Sequence, residues 1–176
     1  GKVGSGVSFD GIDDFINVGR IMSQLSPFTF EFWFNSTSTN QGVLAGAQFG
    51  NAFVLTINES IGKTSIFIRD NSATFNFTKW LIDENIYDGA WHHLAITIED
   101  ASDESKIFTY VDGVSVTQTF EKSASANNWG SAESDLYLGA ENSSGPTGFA
   151  EADIDELAIY HSVLSEARLQ AHINAA

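Results

Sequence analysis

An all-β fold is predicted for this chain: two antiparallel sheets stacked as a sandwich, with one short helix at the C-terminus. Three observations predict it. Phe, Ile, Val, Thr and Trp dominate the periodic segments, and only 2 of 176 residues are proline. Apolar and polar residues alternate with a period of two in short runs that recur at close intervals. No alternation of strands with helices, the signature of a parallel sheet, is present.

Each element has its own justification. Residues 7–10 and 15–18 are short alternating runs on either side of Asp10-Gly11, a turn dipeptide. Residues 28–35 carry the cleanest pattern: Phe28, Phe30, Phe32 and Phe34 point one way, and Thr29, Glu31 and Trp33 the other. Residues 42–47, 52–58 and 64–70 follow as β-rich runs separated by small polar turns. In 91–99, Leu94, Ile96 and Ile98 share a face, with Ala95, Thr97 and Glu99 opposite. Residues 106–111 and 114–120 flank Asp112-Gly113, a two-residue hairpin signal. Strands at 135–139 and 153–160 complete the set. Two longer polar stretches, 121–134 and 141–150, read as loops. Ser165 is a good N-cap for a helix at 166–173.

Size and charge narrow the function. A chain of 176 residues suits one domain, here spanning 1–176. Eight basic against 23 acidic residues give a formal charge of −15, which repels nucleic-acid phosphates and anionic lipid. No apolar run is long enough to cross a bilayer, so membrane insertion is not expected. Cysteine is absent, which removes disulfides and thiolate chemistry. No signal peptide is read at the N-terminus, and from the start at Gly-Lys-Val a piece of a larger protein is expected.

Six ordered motifs carry a resemblance. Val7-Ser-Phe-Asp-Gly-Ile-Asp-Asp-Phe-Ile-Asn-Val18 resembles the opening of laminin-G-like, concanavalin-A-like jelly rolls. Phe28-Thr-Phe-Glu-Phe-Trp-Phe34, Asp88-Gly-Ala-Trp-His-His-Leu-Ala95, Tyr110-Val-Asp-Gly-Val114, Leu136-Tyr-Leu-Gly139 and Ala152-Asp-Ile-Asp-Glu-Leu-Ala-Ile-Tyr160 are similar to later strands of that family. The resemblance runs from about residue 5 to 173. It implies two curved antiparallel sheets and a structural calcium site where the first and last strands meet. It does not imply one activity, because this fold hosts lectins, adhesins, receptor modules and glycosidases.

Candidate sites follow. Calcium takes six to eight oxygen ligands, and Asp10, Asp13, Asp14 and Asp155 are its expected carboxylates, the alternative being simple Asx turns at Asp10 and Asp13. Glu151-x-Asp153-x-x-Glu156 resembles the catalytic strand of retaining glycosidases with this fold. Strand parity, however, aligns Glu151, Asp153 and Asp155 and turns Glu156 away unless a bulge intervenes. His92 and His93 face opposite sides of a strand and read as structural. His161 and His172 are isolated, and no zinc-site spacing appears. Among the aromatics, Trp129 and Phe149 sit in polar loops, and Trp80 is a weaker case of the same kind. A glycan site is therefore placed around Asn127, Asn128, Trp129, Asn142 and Phe149, with the face bearing Glu31 and Trp33 in reserve. The function expected is a non-catalytic, extracellular or cell-surface bacterial module that binds glycan or polysaccharide with calcium as cofactor. The alternatives are a protein- or peptide-binding adhesin module and a glycosidase using Glu151, Asp153 and Glu156.

Overall fold

The computed structural model describes residues 1–21, 27–47, 52–60, 62–70, 76–122 and 135–176. Its strands are β1 (Val7–Asp10), β2 (Ile16–Gly19), β3 (Phe28–Asn35), β4 (Gly42–Ala47), β5 (Ala52–Ser60), β6 (Lys63–Arg69), β7 (Phe77–Ile82) and β8 (His92–Ile98). After these come β9 (Ile107–Val111), β10 (Val114–Ser115), β11 (Gln118–Lys122), β12 (Leu136–Leu138), β13 (Glu141–Asn142), β14 (Pro146–Thr147) and β15 (Glu151–Tyr160). Helix α1 (Glu166–Ala175) ends the chain, and the Ser165 side chain accepts a hydrogen bond from the Arg168 amide at its start.

Two sheets stack as expected. The six-stranded sheet runs β1-β15-β3-β8-β9-β10, and the nine-stranded sheet follows the path β11-β7-β6-β5-β4-β12-β2, with β13 and β14 attached. Pairing is antiparallel except for the short β13·β4 contact and a parallel bridge from Val43 to Phe149. β1 pairs with β15, so the first and last strands meet. β1 and β2 form the edges of the two sheets, and the same twenty residues supply both.

The core lies where the inner faces meet, and the phenylalanine pattern of β3 dictates its centre. Phe28, Phe30, Phe32 and Phe34 are fully buried and interleave with Phe53 and Leu55 of β5 and Ile66 and Ile68 of β6. Each such side chain contributes roughly 1.5–3 kcal/mol by leaving water. Trp80 belongs to this core, fully buried with its indole N–H donating to Thr109 Oγ1 at 3.0 Å. It is a core residue of β7, not a loop aromatic. Thr109 in turn donates to Gln118 Oε1 at 2.7 Å, so this polar link between the two sheets is satisfied.

Three local features depart from the expected strands. β7 is a strand that the sequence pattern concealed. The run expected at 114–120 splits, with β10 in one sheet and β11 in the other. The loop expected at 141–150 contains the small hairpin β13–β14. Two turns required glycine: Asp112 and Gly113 both take positive φ in the β9–β10 hairpin, and Gly139 packs against the Phe9 ring where a side chain would collide.

Candidate functional site

The acidic turn after β1 is built by its own backbone. Asp10 Oδ1 accepts from the Ile12 amide at 2.8 Å, and Asp14 Oδ2 accepts from the Asp10 amide at 3.2 Å. These bonds gather Asp10, Asp13 and Asp14 so that their carboxylate oxygens lie within 4.8 Å of one another, all three side chains exposed. Such an all-oxygen set fits a hard cation. Asp155 is not brought to it, which corrects that expectation. The β1·β15 register sets Asp10 opposite Glu151, and Asp155 lies four positions on, roughly 13 Å along the strand. Its carboxylate holds the N-terminal segment instead, accepting from the Val3 amide at 2.8 Å and the Glu156 amide at 2.9 Å. The Val3 bond is the main reason its carboxyl sits below the usual carboxylate range. The acids that do flank Asp10 are Glu151 and Asp153, across a cavity of about 310 Å³.

The Glu151-to-Glu156 motif is also corrected. A bulge interrupts the β15·β3 register between Asp155 and Ala158, and Glu156 takes φ 51°. Leu157 and Ile159 therefore turn to the core, while Glu156 joins Ala158 and Tyr160 on the outer face. Glu151 and Asp153 also face outward, since Ala152 and Ile154 are core residues. The three acids share a face after all, against the parity expectation. Yet the ends of the motif are roughly 13–16 Å apart along the strand, whereas a retaining pair needs about 5–5.5 Å. Glu151 Oε2 is moreover engaged by the Ser38 hydroxyl at 3.0 Å.

The outer face of the six-stranded sheet is covered by α1. Leu169 is fully buried against Ala95 and Tyr110. Beneath the helix, Glu31 is buried, its Oε1 2.7 Å from His172 Nδ1 and its Oε2 3.5 Å from His93 Nε2. Burial opposes ionisation of Glu31, but the two imidazoles and the Tyr160 hydroxyl outweigh it and hold the carboxyl below its ordinary value. Trp33 packs edge-on to His93 and carries Lys2 Nζ 4.5 Å above its ring. The reserve location lies under α1 beside a cavity of about 260 Å³, and His172, isolated in sequence, finds its partner there. His92 faces away from His93, as parity predicts, and bridges Asp88 and Asp112.

The outer face of the nine-stranded sheet carries no covering element among the described residues. Period-two alternation sends Thr64, Ile66 and Ile68 of β6 and Thr78, Trp80 and Ile82 of β7 inward, and the remaining side chains outward. Phe67 and Phe77 thus stand together on the outside, ring centroids 5.4 Å apart at 33°, each half-buried. They floor a groove of about 520 Å³, within the range of ligand sites. Thr56, Ser65 and Gln41 line it with hydroxyl and amide groups, and Lys79 crosses it, paired with Glu59 and with Glu121 at 3.7 Å. Glu141 closes the far side, where burial pushes its carboxyl up despite the opposing charge of Arg69.

Of the residues expected to bind glycan, Asn127, Asn128 and Trp129 lie outside the described residues. Asn142 donates to the Asp135 carbonyl at 3.0 Å and so ties its own loop. Phe149 is half-buried and bridges to Val43. The structure does not join these two into one platform, although their loop borders the groove through Glu141 and Gly148. The aromatic floor, Phe67 and Phe77, was missed from sequence. The signal was present in β6, where one parity class reads Ser65, Phe67, Arg69: polar, aromatic and charged together, unlike a core face.

The family model described as concanavalin A-like lectin/glucanases superfamily matches residues 10–170. The chain belongs to this superfamily. No curated protein matches the sequence. Among solved structures, members with the same lectin-like sandwich include the CBM40 of a Ruminococcus gnavus IT-sialidase bound to alpha2,3 sialyllactose. That structure has TM-score 0.68 and 15% identity, with 96% of each chain covered. A native heptameric SAP-like pentraxin from Limulus polyphemus gives TM-score 0.61 at 14% identity, covering 94% of this chain and 79% of that one. The receptor binding domain of botulinum neurotoxin D gives 0.63 at 14%, covering 97% of this chain and 43% of the other. At such identities the likeness to these lectin-like relatives is one of fold.

Proposed function

We propose that the protein is a non-catalytic carbohydrate-binding module that takes a glycan in the groove over Phe67 and Phe77. The observation that carries this is the half-buried aromatic pair on a sheet face, ringed by hydroxyl, amide and carboxylate groups. A sugar ring presents an apolar C–H face to an aromatic platform and hydroxyls to the polar rim. Kinship of fold with a CBM40 seen with a bound glycan supports the reading. Phe67→Ala and Phe77→Ala should each weaken glycan binding by about 2 kcal/mol, roughly thirtyfold, with near-native melting. Titration calorimetry on a positive from a glycan array checks this; unchanged affinity in both variants would exclude the groove.

Calcium at the acidic turn is part of the proposal, held by Asp10, Asp13 and Asp14 with backbone carbonyls. A ligand at about 100 times its Kd stabilises the folded state by about 2.7 kcal/mol. EDTA should accordingly lower Tm by about 5–10 °C, and Asp10→Asn should remove that dependence. A melting curve indifferent to EDTA would refute it. The setting that suits such a module is a larger protein outside the cell, enzyme or adhesin.

A second reading, a protein-binding adhesin module, is favoured by the β2 edge. Ile12 is 71% exposed, and Phe15 and Ile16 lie partly exposed beside it.

A further inference from the structure

Resting on the groove as a glycan site, we propose that it selects uncharged sugars and rejects sialylated or uronic ones. The argument is one of charge already spoken for. Among the described residues, three carboxylates border the groove, Glu59, Glu121 and Glu141. The ammonium that crosses it, Lys79, stands between Glu59 and Glu121 and pairs with both. The guanidinium of Arg69 acts on Glu141. Among the described residues, a sugar carboxylate would enter as a fourth anion and compete with the resident acids for Lys79 and Arg69. The whole chain, at −15, adds to the repulsion.

The same groups suit an uncharged sugar. An ionised carboxylate only accepts hydrogen bonds, and it accepts two or more at once. Sugar hydroxyls are donors set side by side along a ring, and hydroxyl-to-carboxylate bonds are among the stronger neutral-to-ion kinds. Glu59 and Glu121, held in place by Lys79, would present fixed acceptors above the stacked ring, while Thr56 and Ser65 supply both donor and acceptor. A neutral hexosyl chain asks the groove to break no ion pair. This sets the site apart in chemistry from the CBM40 bound to sialyllactose, whose fold it shares.

The test uses matched probes on the whole protein. Lactose is compared with α2,3-sialyllactose, and neutral gluco-, galacto- and manno-oligosaccharides with oligogalacturonate, by titration calorimetry at about 50 and about 500 mM salt. At least one neutral probe should bind, its acidic counterpart at least about tenfold more weakly, and the neutral affinity should change less than about twofold with salt. The triple variant Glu59→Gln, Glu121→Gln, Glu141→Gln, with melting as its folding control, should narrow the neutral-over-acidic ratio at least about fivefold. Acidic probes binding as tightly as their neutral counterparts would overturn the proposal. If that binding also vanished in Phe67→Ala, the groove would stand and only its charge preference would fall. Binding of no probe at all would overturn both.

Discussion

The outer faces of the two sheets are built by the same pleat and put to opposite use. On the six-stranded sheet, α1 lies across the face, and polar groups beneath it meet partners within the chain: Glu31 Oε1 with His172, Thr29 with the Ser162 carbonyl. On the nine-stranded sheet none of the described residues covers the centre, and Phe67 and Phe77 stand half-exposed among polar groups. A burial-poor aromatic pair contributes less to stability than a core pair would. The contrast teaches that outward-facing aromatic and charged residues on a strand are ambiguous by themselves. Whether a later segment folds over them decides if they hold the structure or wait for a ligand.

The comparison can be tested by attacking each face separately. The largest effect belongs to the covered face. Leu169→Ala, at the fully buried seat of α1, should cost about 2–5 kcal/mol in chemical denaturation while glycan affinity stays within twofold of wild type, a factor of about 2 being within ordinary scatter. A loss of binding equal to the loss of stability would show that the faces are not independent.

Next comes Glu31→Gln, expected to cost about 1–3 kcal/mol at neutral pH by removing charge from a buried, hydrogen-bonded position. Its pH dependence has a definite sign. The folded carboxyl titrates below its ordinary value of 4.5, so its stabilisation is present above that value and is lost as the pH falls through the folded pKa. The gap between wild type and variant should therefore be widest above pH 4.5 and close in more acidic solution. A gap that widened on acidification would contradict the assignment. The smallest effect belongs to the open face. Lys79→Met should change stability by no more than about 1 kcal/mol, because its partners are partly exposed.

How much of this was legible in the sequence follows from particular residues. β3 was plain because every second residue is Phe and nothing between is aliphatic. The meeting of first and last strands was implied by the family motifs. β7 was concealed because its inward side holds Thr78 and its outward side holds Phe77 and Leu81, which blurs the apolar-polar alternation that marks a half-buried strand. The groove was lost with it, since Phe77 and Lys79 belong to that strand. Glu156 was misplaced because its bulge rests on a left-handed backbone at a residue type that gives no sign of it. The Glu31–His172 pair joins β3 to the final helix, a proximity that depends on how α1 returns over the sheet and that no local pattern encodes.

The pairing of β1 with β15 has a consequence for the life of the chain before it is folded. Residues 7 and 154 become neighbours only when the whole segment between them has been made. During synthesis, β3 waits for the strand that will separate it from β1, and one edge of the phenylalanine-rich sheet stays open until residues beyond 150 leave the ribosome. Long-range closure of this kind is slow, because the entropy of the intervening loop is lost before any contact rewards it. A nascent chain stalled short of β15 would expose an unpaired, strongly apolar edge to its neighbours, which makes the interval before β15 emerges the one in which this fold most depends on chaperones.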